Sequence, residues 1–176
     1  MDDNRRLLEA LSFAARAHQG QLRKDGRTPY VSHVFRVSLI VRQLFGVEDS
    51  AVLTAAVLHD VIEDTNTDFD NLEEQFGREI AGWVSALSKD KRLPEAEREK
   101  TYEEQLTQSP WQVKICKLAD IYDNLTDAIN MPKEKRERTV RNASRYLAAL
   151  KLNLPEVARQ PWGIVSRLLA ESGSAT

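Results

Sequence analysis

The sequence is short of the residues that cross-link a chain. Among its 176 residues there is one cysteine, so an internal disulfide is excluded. Cys116 stands in the apolar run V-K-I-C-K-L, which favours a buried small hydrophobe over a reactive thiol. A chain without a disulfide framework is typical of a reducing compartment, so we expect a cytoplasmic protein.

The sequence also lacks a strong charge of either sign and a long apolar run. Its formal net charge is -2, which gives no reason to expect nucleic acid as a partner. No stretch is apolar enough to cross a bilayer, so a membrane is not expected as a partner either. The first residues, M-D-D-N-R-R, are charged and polar and lack the apolar segment of a secretory signal.

What the sequence does have is a helical hydrophobic period almost throughout. Apolar residues recur at three- and four-residue spacing, and no stretch alternates convincingly as a strand does. We predict an all-α fold, a compact multi-helix bundle that forms a single domain over 1–176, with 172–176 as a flexible tail. After the first helix, which ends near His18, helices are predicted over 34–45, 49–62, 70–88, 98–107, 110–130, 134–151 and 155–171.

One predicted helix ends in polar residues that a core-facing helix should not carry. The run A-V-L-T-A-A-V-L over 51–58 is followed by His59, Asp60, Glu63 and Asp64. A buried carboxylate costs several kcal/mol unless it is paired, so these groups need a partner. On one continuous helix, residues four apart share a face and form two polar layers. We therefore predict that His59 and Asp60 bind a divalent cation and that Glu63 and Asp64 hold or deprotonate a water.

Two residues cannot hold a catalytic ion alone, and two further candidates lie elsewhere in the chain. His33 begins the second helix, after the turn-rich loop Q-G-Q-L-R-K-D-G-R-T-P-Y, and Asp120 ends an apolar face. Taken singly, His33 could be a hydrogen-bonding residue at a helix start and Asp120 an exposed carboxylate. Together with His59 and Asp60 they predict a site with four ligands. His18 is interpreted as a packing or helix-end residue, with a role behind the ligands as the alternative.

The order of the motifs resembles a known family. R-K-D-G-R-T-P-Y-V-S-H, L-H-D-V-I-E-D-T and K-L-A-D-I-Y-D-N-L follow one another as in the hydrolase domain of the bacterial Rel and SpoT enzymes. The chain is also similar in length to the small stand-alone alarmone hydrolases of the Mesh1 type. Both groups are HD-domain metal-dependent phosphohydrolases. The resemblance is strongest over residues 8–130 and implies the all-α HD-domain fold.

The resemblance implies a role for each motif residue. It implies that a divalent metal, most often manganese, is bound by His33, His59, Asp60 and Asp120. It implies that the attacking water is oriented and activated by Glu63 and Asp64. It further implies an arginine against the purine, a lysine near phosphate and an asparagine on the nucleoside, here Arg23, Lys24 and Asn124. Tyr146 either lines the same pocket or packs in the core.

The implied reaction is hydrolysis of the 3′-pyrophosphate of guanosine 3′,5′-bis(diphosphate) and its pentaphosphate form, so a small nucleotide is the expected partner. The sequence departs from the family after Asp120, because Ile121 and Thr126 remove positive charges and Asp123 adds a negative one. Glu95 stands where relatives can carry lysine. Phosphate affinity depends on such charges.

These departures leave two alternatives to an alarmone hydrolase. One is an HD phosphohydrolase acting on another nucleotide, such as NADPH or a 3′-phosphonucleotide; the other is a non-catalytic nucleotide sensor. The intact pair Glu63 and Asp64 argues against a sensor. Lys91, Arg92 and Arg98 could restore positive charge, although such a charged stretch is more often a solvated face. A homodimer remains open.

Overall fold

A computed structural model describes residues 3–129 and 131–174. The helices are α1 (Asp3–Ala17), α2 (Val31–Leu39), α3 (Ser50–Leu58), α4 (Val61–Asp64), α5 (Phe69–Phe76), α6 (Arg78–Leu87), α7 (Glu95–Gln108), α8 (Trp111–Ala128), α9 (Lys133–Lys151) and α10 (Glu156–Ser174). A π-helical segment, Ile40–Leu44, extends α2. Within these ranges there is no strand beyond a single β-bridge between Leu22 and Pro29. The all-α prediction is confirmed.

Two helices, α3 and α8, occupy the middle of the bundle, and most of their residues are buried. In α3 every residue from Val52 to Leu58 is buried, and most of α8 is buried as well, including Cys116. Helix α3 packs against α1, α2, α6 and α8, while α8 also packs against α9 and α10. Each fully buried large aliphatic side chain stabilises the fold by about 1.5–3 kcal/mol. The core therefore fixes the backbone from which the predicted site residues project.

The predicted continuous helix over 49–62 is wrong at the point that carries the polar residues. A turn at His59 and Asp60 separates α3 from the short helix α4. His59 Nδ1 donates to the Ala56 carbonyl at 2.8 Å, and that carbonyl would bond the backbone N–H of Asp60 in a continuous helix. Asp60 itself has φ -105° and ψ -3°, which lies outside the main helical region. The two downstream carboxylates consequently belong to a separate helix.

Two other predicted boundaries also differ from the structure. The helix predicted over 70–88 is divided into α5 and α6 at Gly77, whose φ of 87° favours glycine. The tail predicted over 172–176 is helical through Ser174, and residues 175–176 lie outside the described residues. The Ser172 hydroxyl donates to the Leu168 carbonyl at 2.8 Å, so it stays within the helical hydrogen-bonding pattern.

A buried ammonium joins the ends of α7 and α9, the two helices that flank the site. Lys114 is 1% exposed and donates to the carbonyls of Thr107 at 3.1 Å and Leu152 at 2.7 Å. The last carbonyls of a helix lack intrahelical partners and carry partial negative charge, which favours a cation there. Among the described helices, none is long and apolar enough to span a membrane.

Candidate active site

Four of the predicted residues converge from separate parts of the fold. His33 lies on α2, His59 and Asp60 form the turn between α3 and α4, and Asp120 lies on α8. Ligand atoms of His33, His59 and Asp60 lie within 4.8 Å of one another. Asp120 Oδ1 lies 3.3 Å from His33 Nε2 and 3.7 Å from His59 Nε2. These four residues, named the HD cluster below, offer imidazole and carboxylate ligands suited to a divalent transition metal.

Neighbouring groups determine which nitrogen of each histidine faces the HD cluster. His33 Nδ1 lies 2.6 Å from Asp123 Oδ2, and His59 Nδ1 lies 2.8 Å from the Ala56 carbonyl. Carboxylates and carbonyls only accept hydrogen bonds, so both Nδ1 atoms carry a proton. In the neutral rings each Nε2 then presents its lone pair to the cluster. His59 Nε2 is buried 2.9 Å from Asp60 Oδ2 but forms no hydrogen bond of acceptable geometry, and a cation bound by both atoms would satisfy them.

The charges of the HD cluster favour a positive charge between its side chains. Burial lowers the pKa of His59, but the carboxylates of Asp60 and Asp120 raise it to about 10. Burial likewise lowers the pKa of His33, and Asp120, Asp123 and Asp60 together raise it to about 9. A metal ion takes the place of such protons, because histidine ligates metals in its neutral form. The residues present therefore fit a divalent cation.

Asp123 does not face the substrate side, contrary to the expectation that its charge would repel an anionic nucleotide. It is 3% exposed and accepts a hydrogen bond from His33 Nδ1. Arg36 binds it through Nε at 2.6 Å and Nη2 at 2.9 Å. Burial raises the pKa of Asp123, but His33 and Arg36 lower it below its usual range. The expectation is wrong because this carboxylate is neutralised behind His33, where it orients the imidazole.

The other departures from the family pattern also lie mostly away from the HD cluster. Thr126 is exposed, and its hydroxyl donates to the Tyr122 carbonyl at 3.0 Å. Glu95 begins α7 and lines a different cavity. Ile121 lines the cavity beside the cluster. The charge argument for a different substrate is therefore reduced to Ile121 in this cavity and Glu95 in the neighbouring one.

Glu63 is held by the loop that follows α6. Its Oε2 accepts the backbone N–H of Lys89 at 3.0 Å. The Lys89 ammonium is fixed in turn, 2.9 Å from Glu99 Oε1 and 2.6 Å from Tyr146 Oη. Burial raises the pKa of Glu63, the Lys89 N–H opposes this, and the nearby charge of Asp60 raises it further. A carboxylate with a raised pKa is a stronger proton acceptor near neutral pH.

Tyr30, which the sequence reasoning missed, links the second carboxylate to the HD cluster. Its hydroxyl lies 2.6 Å from Asp60 Oδ2 and 3.2 Å from Asp64 Oδ2. The other oxygen of Asp64 lies 2.7 Å from Lys91 Nζ. The His18 ring packs against Tyr30 with centroids 4.8 Å apart, as its packing interpretation predicted. The P-Y-V-S-H motif contained the signal, since Tyr30 precedes His33 by three residues at the start of α2.

The HD cluster opens onto a cavity of about 440 Å³, named the reaction cavity. Of the predicted site residues, those lining it are Arg23, Lys24, Asp60, Glu63, Asp64, Asp120, Asn124 and Tyr146. His33 and His59 are buried beneath this lining. Lining residues that were not predicted include Tyr30, Lys89, Lys117, Arg138, Thr139 and Asn142. The last three share one face of α9 with Tyr146, and this helical spacing was the available signal.

Comparison with known proteins agrees with this geometry. A family model described as an HD domain matches residues 10–150. The chain belongs to the HD-domain family. Over 168 residues the HD-domain protein is 39% identical to the guanosine-3′,5′-bis(diphosphate) 3′-pyrophosphohydrolase MESH1 of Drosophila melanogaster, covering 88% of the chain and 94% of the relative. It is 44% identical over 122 residues to the MESH1 protein of Homo sapiens, covering 69% and 68%.

A solved structure supports the same assignment. It is described as a metazoan ortholog of SpoT that hydrolyses ppGpp and plays a role in starvation responses. The HD-domain protein matches it with a TM-score of 0.85 and 32% sequence identity over 96% of each chain. The similarity therefore extends over nearly the whole bundle, beyond the HD motif itself.

Another part of the reaction cavity lining is organised by Arg23. This arginine of the HD-domain protein is 7% exposed, and its Nη2 lies 2.8 Å from Asp127 Oδ2 and 3.0 Å from Asn124 Oδ1. Asn124 Nδ2 in turn donates to Asp120 Oδ1. Nε of Arg23 also donates to Asp127 Oδ2, at 3.1 Å, so two nitrogens of one edge are held and the plane of the guanidinium is fixed. A fixed guanidinium plane is suited to stacking on a ring.

Both interpretations of Tyr146 hold. The residue is 4% exposed, and its ring packs edge-on against Tyr102 with centroids 5.4 Å apart. It nevertheless lines the reaction cavity. The ammonium of Lys117 lies 4.9 Å from its ring centroid and 2.7 Å from Asp120 Oδ2, so Tyr146 borders the HD cluster.

Proposed function

We propose that this HD-domain protein hydrolyses the 3′-pyrophosphate of guanosine 3′,5′-bis(diphosphate), and of its pentaphosphate form, to GDP or GTP and pyrophosphate. The observation that supports this most strongly is the meeting of the HD cluster with Glu63 and Asp64 at one end of a cavity that also carries lysines and arginines. The MESH1 relatives carry the name of this activity. A single buried cysteine suits a reducing compartment, so we propose that the reaction takes place in the cytoplasm.

The HD cluster is the proposed metal site, with His33, His59, Asp60 and Asp120 as ligands and Mn²⁺ as the ion. When bound, such an ion polarises the scissile phosphoryl group and offsets its negative charge. Asp123 and the Ala56 carbonyl keep both imidazoles in the tautomer that can ligate.

Glu63 and Asp64 are the proposed residues that orient the attacking water and accept its proton. The contacts from Lys89, Lys91 and Tyr30 fix both carboxylates, so little reorganisation is needed during reaction. Neither serine nor cysteine is found among the described residues of the cavity lining, which agrees with direct attack by water.

The part of the reaction cavity lined by Arg23, Lys24 and Asn124 is the proposed nucleoside site. Arg23 stacks on the guanine, Asn124 contacts the nucleoside, Lys24 neutralises phosphate and Tyr146 lines the same pocket. The case for another nucleotide rested on Ile121, Asp123, Thr126 and Glu95. It is weakened because Asp123 is neutralised behind His33 and Thr126 is exposed. A sensor would not require two fixed carboxylates beside the HD cluster.

A turnover assay with Mn²⁺ tests the proposal. Substrates are guanosine 3′,5′-bis(diphosphate), its pentaphosphate, NADPH and a 3′-phosphonucleotide, each with the wild type and the Asp64→Asn variant. The matched control is Asp70→Asn, an exposed aspartate on α5. Pyrophosphate released from the two guanosine substrates by wild type and control, and lost in Asp64→Asn, is the expected result. Turnover of NADPH alone, or of nothing despite bound metal, contradicts the proposal.

A further inference from the structure

A second cavity, of about 610 Å³, lies between α7 and α9 beside the reaction cavity. We name it the annex. The residues that line both cavities are Lys24, Lys89, Arg138, Thr139 and Asn142. Because the two linings share these side chains, the annex directly adjoins the reaction cavity, and a ligand that passes these side chains would reach it.

The annex carries an excess of positive charge without partners. The cations in its lining are Lys24, Lys89, Arg98, Arg138, Arg141 and Arg145. Lys89 is paired with Glu99 at 2.9 Å, and Arg145 is paired with Glu103. The other four cations form no ion pair within ranges 3–129 and 131–174, and Glu95 is the one further acid of the described lining.

Such a cluster of like charges is suited to a polyanion. Burial lowers the pKa of Lys24, and the nearby charges of Arg23 and Arg138 lower it further, as expected where cations repel one another. Arginine pairs with phosphate through two parallel N–H donors, and two of the unpaired side chains stand on opposite walls, Arg98 on α7 and Arg141 on α9. A phosphate chain between these walls would relieve the repulsion.

The nucleotide proposed above has two anionic arms, one at the 3′ and one at the 5′ position of its ribose. The lining of the reaction cavity already contains four carboxylates, Asp60, Glu63, Asp64 and Asp120, at the end where the 3′ arm reacts. A second phosphate chain at that end would meet these negative charges without a cation of its own. The 5′ arm therefore needs positive charge at another place along the same surface.

We propose that the annex binds the 5′-phosphate chain of the nucleotide, with Arg98 and Arg141 contacting its distal phosphates. This inference rests on the proposed function. The annex then distinguishes substrates by the number of their 5′-phosphates, and substrates with a longer 5′ chain have a higher kcat/KM. The arginines act through binding, and their effect falls mainly on KM, because the 5′ arm has the same charge before and during reaction.

A substrate series that varies only the 5′ arm tests the proposal. Guanosine 3′-diphosphates with one, two or three 5′-phosphates are hydrolysed by the wild type, Arg98→Gln, Arg141→Gln and the double variant. The control is Arg78→Gln, an exposed arginine on α6 that lines neither cavity. In the double variant we expect kcat/KM to fall about tenfold for the 5′-triphosphate and about twofold for the 5′-monophosphate. In the control variant, kcat/KM should depend on the number of 5′-phosphates as it does in the wild type.

Two outcomes overturn the annex proposal: an equal loss across the series, or no loss in folded variants. Circular dichroism and thermal melting establish folding, and the two single variants replace the double variant if it does not fold. Raised ionic strength should also weaken the dependence of kcat/KM on the number of 5′-phosphates, and this weakening should be larger in the wild type than in the variants. Failure of the proposed function looks different, because the wild type would then release no pyrophosphate from any member of the series.

Discussion

The HD cluster and the annex, at the two ends of the adjoining cavities, differ in burial, in charge and in how their side chains are held. At the HD cluster the ionisable groups are buried or half-buried and are held by hydrogen bonds, such as those between Asp123 and His33 and between Tyr30 and Asp60. In the annex, Arg138 and Arg141 are exposed and form no ion pair within the described chain. From this difference we infer that the HD cluster and its neighbours carry out the reaction, whereas the annex selects the substrate.

The comparison also indicates how each end tolerates change. A buried polar network loses much when one member is removed, because the remaining groups are left without partners. Exposed cations lose little stability, since water replaces whatever they contact. Substitutions at the HD-cluster end should therefore affect metal binding and turnover strongly, and those in the annex should affect substrate preference alone. The following predictions test that contrast in order of expected effect.

The largest effect is expected for Glu63→Gln. The amide keeps the shape of the side chain but cannot accept a proton, so kcat should fall about 10²- to 10⁴-fold. Mn²⁺ content should remain that of the wild type, because Glu63 is outside the HD cluster. Steady-state kinetics and metal analysis of the purified protein measure both. Glu74→Gln, an exposed change on α5, is the control. Wild-type kcat in Glu63→Gln would refute a proton-accepting role.

A smaller effect is expected for Asp123→Asn. The neutral amide no longer balances Arg36 or stabilises the protonated Nδ1 of His33, so Mn²⁺ affinity should fall about 10- to 100-fold. Titration calorimetry measures the change, with Asp70→Asn as the control. An unchanged affinity would mean that Asp123 does not support the metal site.

Lys114→Met separates a buried structural cation from the exposed cations of the annex. Removing the ammonium leaves the carbonyls of Thr107 and Leu152 without this donor, so the free energy of unfolding should fall by about 1–3 kcal/mol. Urea unfolding measures it, with the exposed Lys100→Met as the control. The 5′ chain-length preference should stay that of the wild type. Full stability would show that water satisfies these carbonyls equally well.

The smallest effect on stability is expected for Arg98→Gln and Arg141→Gln. Neither arginine has an ion-pair partner in the described residues, so the free energy of unfolding should stay within about 0.5 kcal/mol of the wild type. The same urea experiment measures it. A loss above 2 kcal/mol would show that these side chains are structural and would remove the contrast between the two ends.

Which residues meet in the HD cluster could be predicted from the sequence, because they lie in short motifs. The helical period was sufficient for the all-α fold, and three motifs, P-Y-V-S-H, H-D-V-I-E-D-T and K-L-A-D, indicated the residues that meet in the HD cluster. What they could not predict is how non-adjacent side chains pair. Asp123 was read as a charge facing the substrate because its pairing with Arg36, 87 residues away, is visible in the fold alone.

The annex was predictable only in part, for a different physical reason. Arg98 was recognised as a possible source of charge, but in sequence it belongs to a charged stretch that is typical of a solvated face. Arg138 and Arg141 join it because α7 and α9 pack against each other, and that contact depends on tertiary structure. The break at His59 and Asp60 was missed for a related reason, since a side chain replaces one backbone hydrogen bond there.

The central claim is that water, activated beside the HD cluster, attacks the 3′-pyrophosphate. It is tested most directly by hydrolysing guanosine 3′,5′-bis(diphosphate) in ¹⁸O-water with Mn²⁺ and following the products by ³¹P NMR and mass spectrometry. The account predicts pyrophosphate that carries one ¹⁸O atom, together with unlabelled GDP. Label in the guanosine product, or cleavage of the 5′ chain with the 3′-pyrophosphate intact, would contradict it.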